Sequence, residues 1–248
     1  MNEPYIMLGC PIARNREWII EEYLSAIHNL DYPKGKIHLA FFVNGNPEDR
    51  TEEWLFEYKT KFEHEYNNID IWVMDDKNTD NEKREGRDFE HFSNIRNTWI
   101  SMRRKDDEYV FSVDSDIIIP PETLRKLLSH EKEVVSALIK NGSAGPYDLY
   151  NIFGASLIAK TGNNNYINMY DPLIKTQGLT VVDVTGACYL IHRDVLDSGA
   201  HYGRHLQGED VYFCEKARNL GYQIYCDQDL MPDHIMTKEE HGQSLNRL

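Results

Sequence analysis

The chain of 248 residues lacks long apolar runs and does not begin with the basic stretch of a secretory signal. No apolar segment approaches the roughly 20 residues that a membrane-spanning helix needs. The opening letters, MNEPYIMLG, contain Glu3 and no Lys or Arg, whereas secretory signals start with basic residues. We therefore expect neither a transmembrane segment nor a secretory signal.

Cysteine is also scarce, and the few cysteines form no CxxC pair and no zinc-type spacing. The four of them are Cys10, Cys188, Cys214 and Cys226. Disulfide frameworks and zinc sites show characteristic cysteine spacings that are absent here. Reduced thiols are typical of the cytosol, so we expect small core residues in a cytoplasmic protein.

Basic residues are outnumbered: 27 Lys and Arg stand against 41 Asp and Glu, which gives a formal net charge of -14. An acidic surface repels phosphate, and this argues against a nucleic-acid partner. It is equally poor for binding an anionic membrane. Hydrophobic residues make up 41% of the chain, which is enough to fold a globular core.

Apolar residues recur at strand or helix spacing along the first half of the chain. The predicted strands are residues 5–8, 37–43, 69–74 and 109–113, and the predicted helices are residues 17–30, 51–66 and 89–104. Strands that alternate with helices of this length predict an α/β fold with a mostly parallel sheet. Ligands of such sheets bind beyond the carboxyl ends of the strands. No linker forces a boundary, so we expect a single domain.

Two polar segments interrupt this pattern. Residues 75–88 (DDKNTDNEKREGRD) are dense in charge and fit either a solvated loop or a flap over a ligand site. Residues 160–165 (KTGNNN) predict a turn.

The strongest local motif is YVFSVDSDIIIPPETL, in which a hydrophobic strand ends in Asp114, Ser115 and Asp116. Two carboxylates at this spacing can reach one ligand, because the alternation of the strand breaks at its end. Hard cations such as Mg²⁺ or Mn²⁺ take oxygen ligands and bridge carboxylates to phosphates. The alternative is an ordinary strand end, where Asp is common.

A second motif, GEDVYFCEKARNLGY, places Glu209 and Asp210 at the predicted start of a helix. Acidic side chains suit a helix N-terminus, so capping alone explains them. The functional interpretation is a general base that deprotonates an acceptor hydroxyl. Both interpretations remain open from the residues alone.

Two further residues are candidates for ligand binding. His234 follows the predicted strand at residues 223–226 and is either polar surface or a ligand for Mn²⁺. Arg96 shares a helical stripe with Phe89, Phe92 and Trp99 and therefore lies near the buried face. A buried Arg needs an anionic partner, which is either a structural carboxylate or a ligand diphosphate.

In order along the chain, these motifs resemble those of the GT-A fold glycosyltransferases, especially the inverting glycosyltransferase family 2. The resemblance covers about residues 5–235. It is carried by LGCPIARNREWIIEEYLSAI, AFFVNGNPEDRTEEW, SNIRNTWI, and TGACYLIHRDVL followed by GEDVYFCEKARNLGYQIYCDQDL. It implies a nucleotide-binding half at about residues 1–116 and an acceptor-binding half at about residues 117–248.

The resemblance also implies a donor site for a nucleotide sugar, with UDP favoured. Pro11, Arg14 and Asn44 would line the nucleoside pocket, and Arg96 would assist the phosphates. Asp114 and Ser115 would lie near the ribose or the donor sugar.

For the reaction itself, the resemblance implies Mn²⁺ or Mg²⁺ held by Asp116 and His234, with Asp114 as a further metal ligand. Asp210, with Glu209 beside it, would act as the base that accepts the proton of an acceptor hydroxyl. The expected product has inverted anomeric configuration.

The chain departs from the family pattern at Asn44, where an acid that contacts the base is usual. The stretch VDSDIIIPPETL also resembles some retaining Golgi-type mannosyltransferases. The alternatives are therefore a retaining glycosyltransferase of the same fold, a sugar nucleotidyltransferase, a glycoside hydrolase and a non-catalytic sugar-binding module.

Overall fold

The structure is a computed structural model, and the residues it describes are 3–45, 48–75, 88–153, 166–170 and 178–245. The predicted turn at residues 160–165 lies outside them. The predicted loop or flap at residues 75–88 also lies outside them, except for Asp75 and Asp88.

The strands of the described part are short, and most belong to one large sheet. They are β1 (Ile6–Ala13), β2 (Ile37–Asn44), β3 (Asn68–Met74), β4 (Tyr109–Val113), β5 (Ile117–Ile118), β6 (Val134–Ala137), β7 (Lys140–Ala144), β8 (Tyr147–Phe153), β9 (Asn168–Tyr170), β10 (Leu179–Val182), β11 (Cys188–His192), β12 (Ile224–Asp227) and β13 (Asp233–His234).

The α-helices of the described part alternate with the strands in the first half, as predicted. They are α1 (Glu17–His28), α2 (Thr51–Phe62), α3 (Phe89–Ile100), α4 (Thr123–Ser129), α5 (Arg193–Asp197), α6 (Glu209–Asn219) and α7 (Lys238–Leu245). The three helices predicted from periodicity are each shorter than expected at the carboxyl end. After α1, for example, Leu30 N–H bonds the carbonyl of Ile27 in a tight turn, which ends the helix while the apolar spacing continues.

Strand β1 is longer than the predicted residues 5–8, because Gly9 and Pro11 interrupt the apolar run without ending the strand. Gly9 has φ +145 and lies so close to β2 that a side chain would collide with the carbonyl oxygen of Ala40. Glycine is therefore required for β1 and β2 to pair here. The pairing continues to Ala13, opposite Asn44.

The main sheet has eight strands in the order β10-β12-β6-β11-β4-β1-β2-β3. β1 runs parallel to both β2 and β4, and β2 runs parallel to β3. This confirms the predicted α/β fold with a mostly parallel sheet. β11 is antiparallel to its neighbours β4 and β6, and β10 is antiparallel to β12 at the edge.

Each face of the sheet buries its own apolar cluster. One face packs against α1, whose residues Ile20, Tyr23 and Leu24 belong to the same apolar cluster as alternate side chains of β1 and β2. The other face packs against α3 and α6, with Trp99 fully buried. The two layers fix the carboxyl ends of β1, β2 and β4 at a common edge, where polar residues follow each strand.

The four cysteines are buried and free, which confirms that they are small core residues. Burial raises the pKa of the thiols of Cys10, Cys188, Cys214 and Cys226. Among the described residues, no helix is both long and apolar enough to cross a membrane.

Candidate active site

The two carboxylates of the D-x-D motif have different partners within the chain. Asp114 N–H donates to the carbonyl of Ala187 at 2.8 Å, which extends the pairing of β4 with β11 by one residue. Asp114 then faces Arg96, with 2.9 Å between Oδ1 and Nη2, while Asp116 faces His234. Ser115 lies buried between them. Within the chain the two carboxylates thus contact different partners, and a metal ion shared by Asp114, Asp116 and His234 remains a prediction.

Arg96 connects the D-x-D motif to the start of α6. Besides Asp114, its guanidinium lies 3.7 Å from Glu209 Oε1 and donates to Ser112 Oγ at 3.3 Å. Arg96 is 9% exposed, as its position on the apolar stripe predicted. The partners of Arg96 in the structure are thus carboxylates of the chain itself, and the binding of a diphosphate by Arg96 remains a prediction.

Replacing Arg96 with Ala should lower the melting temperature at pH 8 by roughly 5 °C or more, because it leaves buried carboxylates unpaired. The loss should shrink at pH 5, since burial raises the pKa of Asp210 to about 7 and this carboxyl is then protonated and no longer needs a cationic partner. Thermal unfolding at the two pH values measures this.

The matched control for that substitution is Arg50→Ala, since Arg50 is 52% exposed and pairs with Glu53 at 2.7 Å on the surface. An exposed pair contributes little to stability. If Arg96→Ala melts like Arg50→Ala but binds donor poorly, Arg96 belongs to the donor site instead of a structural ion pair.

Asp116 and His234 meet because β5 and β13 pair antiparallel, with Ile117 opposite His234. Asp116 Oδ1 lies 3.8 Å from His234 Nε2. The other ring nitrogen, Nδ1, lies 3.0 Å from the carbonyl of Lys140 and can donate to it. When Nδ1 carries the proton of a neutral imidazole, Nε2 is the nitrogen that can bind a metal. Metal-binding histidines commonly donate a hydrogen bond from their other ring nitrogen in this way.

Asp116 and His234 stabilise each other in the charged form, so a metal cation would have to displace a proton from His234. Burial works against charge on both groups, yet the pair interaction lowers the pKa of Asp116 and raises that of His234. The described residues contain no group of three His, Cys, Asp or Glu side chains that could hold a metal. Mg²⁺ is usually bound by one or two carboxylates together with water and substrate phosphates, which Asp116 fits, whereas the His234 imidazole suits a softer ion than Mg²⁺.

Asp210 lies in the first turn of α6 but does not cap the helix. The cap position is Gly208, and no side chain caps it. Asp210 Oδ1 instead accepts a hydrogen bond from the Tyr189 hydroxyl at 3.1 Å. Burial, with Glu209 and Asp114 nearby, raises the pKa of Asp210 to about 7, although Arg96 opposes the shift. A pKa near the working pH is what a general base needs.

The residues predicted to line a nucleoside pocket lie at the ends of β1 and β2. Arg14 N–H donates to the Asn44 carbonyl at 3.2 Å, and Pro11 is in register with Phe42 on β2. The Arg14 guanidinium is buried and pairs with Glu52 at 2.7 Å. The structure brings these three residues to one edge, and their contact with a nucleoside remains a prediction.

Sequence reasoning missed three residues beside the acidic centre. Tyr189 and Tyr202 are fully buried and reach Asp210 as a hydrogen-bonded pair. Gly186 lies against the Asp210 carboxylate. Gly186 and Tyr189 belong to the TGACYLI segment, which carried the resemblance, but neither residue type indicates its role without the fold.

Two cavities flank α6. One, of about 500 Å³, adjoins the loop that leads into this helix and is lined by Asp88, Phe89, Glu90, Arg204, His205 and Leu206. The other, of about 690 Å³, lies beside the far half of α6 at Glu215 and Arg218, and none of the candidate catalytic carboxylates lines it. The smaller cavity is therefore the one that lies next to Glu209 along the chain.

Solved structures similar to this fold include glycosyltransferases. S. aureus TarS in complex with UDP-GlcNAc has a TM-score of 0.58 and 18% identity, over 95% of this chain and 60% of that chain. Mannosyltransferase PcManGT from Pyrobaculum calidifontis, in complex with GDP-Man and Mn²⁺, has a TM-score of 0.63 and 13% identity, over 100% of this chain and 66% of that chain. These likenesses show that the chain has the GT-A fold.

Sequence comparison specifies the family. The Anp1 family model matches residues 1–166, and the chain belongs to the Anp1 family. Procollagen galactosyltransferase 1-A of Xenopus laevis is 27% identical over 152 residues, which are 58% of this chain and 24% of that protein. Procollagen-lysine,2-oxoglutarate 5-dioxygenase 1 of Gallus gallus is 23% identical over 248 residues, which are 96% of this chain and 31% of that protein. The chain spans less than a third of either relative's length.

Proposed function

We propose that the protein transfers a sugar from a nucleoside-diphosphate sugar to an acceptor hydroxyl with the help of a divalent cation. The observation that carries the proposal is the charge arrangement around Arg96. Asp114, Glu209 and Asp210 surround the buried guanidinium of Arg96, and Asp116 lies two residues from Asp114. The excess of negative charge favours a further cation, and Asp210 is poised to take up a proton.

On the donor side, Asp116 and His234 would hold Mn²⁺ or Mg²⁺. The cation would stabilise the negative charge that develops on the leaving diphosphate. Asp114 and Ser115 would lie near the ribose or the donor sugar, while Arg96 would orient Asp114 and assist the phosphates.

On the acceptor side, Asp210 would accept the proton of the attacking hydroxyl. Glu209 contacts Arg96 rather than Tyr189, so its role is to hold Arg96 and to keep the pKa of Asp210 high. A base opposite the leaving group permits one displacement, which inverts the anomeric configuration. The strands that carry these residues come from both halves of the chain, and we propose that the halves act as one catalytic domain.

For the nucleotide, a UDP-sugar is our first candidate. TarS was solved with UDP-GlcNAc, and PcManGT was solved with GDP-Man and Mn²⁺, so both bases occur among similar folds. Asn44 lies at the end of β2, beside Arg14 and Pro11. An Asn amide can both donate to and accept from a uracil edge, which supports UDP at this position.

Nucleotide-sugar binding should depend on the cation, because the carboxylate cluster repels a diphosphate on its own. UDP-sugars should raise the melting temperature with Mn²⁺ present, since a ligand that binds only the folded state stabilises it. Excess chelator should abolish the shift. A thermal-shift screen of UDP- and GDP-sugars, followed by calorimetry of UDP, measures both the donor and its metal dependence.

Several outcomes would redirect the proposal. Equal UDP affinity with Mn²⁺ and with chelator would remove the metal role. Retained configuration in the product, read by NMR, would favour the retaining alternative. Release of pyrophosphate from a sugar phosphate and a nucleoside triphosphate would favour a nucleotidyltransferase, and donor binding without turnover would favour a sugar-binding module.

A further inference from the structure

The two oxygens of Asp210 have different surroundings. Oδ1 accepts a hydrogen bond from Tyr189 at 3.1 Å, whereas Oδ2 accepts none from the described residues. Oδ2 lies beside the backbone of Gly186, where an added methyl carbon would stand only 2.5 Å from it. One oxygen is therefore held by a hydrogen bond, and the other lies so close to Gly186 that a side chain there would displace it.

The hydroxyl that holds Oδ1 belongs to a buried pair of tyrosines. Burial raises the pKa of Tyr189 and of Tyr202, so both phenols stay protonated. Each phenol has one proton to donate. Since Tyr189 donates to Asp210, the hydrogen bond between the two hydroxyls must be donated by Tyr202. The direction of this chain of hydrogen bonds is thus fixed by the carboxylate at its end.

Both tyrosines are fixed by groups outside the pair. Tyr189 lies in β11, between Ser112 of β4 and Ser136 of β6. Tyr202 exchanges two hydrogen bonds with the Asn97 side chain, at 2.9 and 3.0 Å, and its ring stacks on Phe213. The backbone of both tyrosines is thereby fixed, and the stacking on Phe213 also fixes the ring of Tyr202.

The backbone beside Oδ2 is equally constrained. The buried side chain of Asn151 donates to the Gly186 carbonyl at 2.8 Å and also bonds the carbonyl of Ala137. The next residue, Ala187, has φ 65 and accepts from Asp114 N–H. Residues 186 and 187 therefore lie between the donor-side carboxylate and the proposed base, and they cannot move away to admit a side chain.

We infer that Tyr189 is a positioning residue that occupies Oδ1 of Asp210 and so leaves Oδ2, beside Gly186, as the oxygen that takes the acceptor proton. The inference rests on the proposed function. In that step the acceptor oxygen bonds to the anomeric carbon, the bond from this carbon to the diphosphate breaks, and the diphosphate leaves with the electron pair. The acceptor proton moves to Oδ2, so the acceptor must approach over Gly186.

The test is the variant Tyr189→Phe, which keeps the ring and removes the hydroxyl. Its kcat should fall about tenfold, the scale expected for one hydrogen bond to a charged group. Donor affinity and the acceptor KM should stay within about twofold, because neither substrate touches the phenol. When Asp210 is already replaced by Asn, Tyr189→Phe should lower kcat little further, because the base that Tyr189 orients is absent.

Tyr58→Phe is the matched control. Tyr58 forms another buried tyrosine pair, with 2.7 Å between its hydroxyl and that of Tyr66, on α2 away from the carboxylates. It should leave kcat unchanged. Gly186→Ala is a second, independent variant, and it should lower kcat at least tenfold with normal donor affinity by displacing Oδ2.

Three results would overturn the inference. The first is that Tyr189→Phe keeps the wild-type kcat while Asp210→Asn is slow. This result would remove the role of Tyr189 but keep Asp210 as the base. The second is an equal tenfold loss in both backgrounds, which places the effect of Tyr189 elsewhere. The third is a wild-type rate in Asp210→Asn, which overturns the base and this inference together.

Discussion

Replacing Asp210 with Asn is expected to lower kcat for sugar transfer by about 10²-fold or more, the usual contribution of a positioned base. Asn is nearly isosteric and can still accept the hydrogen bond from Tyr189, so the site should keep its shape. Donor affinity should stay unchanged, because the proton is transferred only in the transition state. Steady-state kinetics together with donor calorimetry separate the two quantities.

The pH dependence of the reaction rate and of stability provides a second test of Asp210 as the base. In the wild type, kcat/KM should rise with pH and level off above about 7, where Asp210 is deprotonated. Because its folded-state pKa lies above the ordinary value of 3.8, the stability from this group is present below pH 3.8 and is lost as pH rises through about 7. The Asn variant should therefore gain melting temperature relative to the wild type over that range. Wild-type turnover in Asp210→Asn would show that this carboxylate is not the base.

Replacing Asp116 with Asn should weaken the binding of UDP in the presence of Mn²⁺ by about 10²-fold or more. Loss of an outer-shell partner typically costs 10- to 100-fold in metal affinity, and loss of a direct ligand should cost at least as much. Without the Asp116 carboxylate, His234 keeps its bond to the Lys140 carbonyl but loses its anionic neighbour. Calorimetry of UDP at several Mn²⁺ concentrations measures the change.

Asp233→Asn provides the matched control, since it makes the same change of charge at an exposed position on β13, the strand that carries His234. It should leave metal-dependent UDP binding within about twofold of wild type. Equal losses in the two variants would mean that the negative charge of the surface, rather than a ligand at Asp116, sets the affinity. Wild-type binding in Asp116→Asn would place the cation elsewhere.

Much of the fold follows from local patterns that tertiary structure does not change. The alternation of strands and helices predicts the parallel core, and the strand that ends in Asp114 does end there. The predicted strand β1 is too short, because Gly9 and Pro11 usually weaken a strand. Here the backbones of β1 and β2 approach closely at Gly9, and the sequence of one segment does not reveal this approach.

The site was harder to predict, because its geometry depends on contacts between distant parts of the chain. The spacing of Asp114 and Asp116 predicts a shared ligand, but it does not predict that Arg96 contacts the first carboxylate and His234 the second. The helical stripe predicted that Arg96 is buried but not which anion it meets. Tyr189 and Tyr202 carry no motif, and only the packing of β11 against α6 makes them neighbours of Asp210.

The position of β11 in the sheet has a consequence for folding. β11 is the strand that joins β4, β1, β2 and β3 to β6, β12 and β10. When the ribosome has made only β1 to β4, the inner edge of β4 is an unpaired apolar strand, and such edges invite pairing with other chains. The partner of this edge begins at Cys188, far along the chain, and long-range pairing is slow. The emerging chain is therefore most prone to aggregate between synthesis of β4 and synthesis of β11.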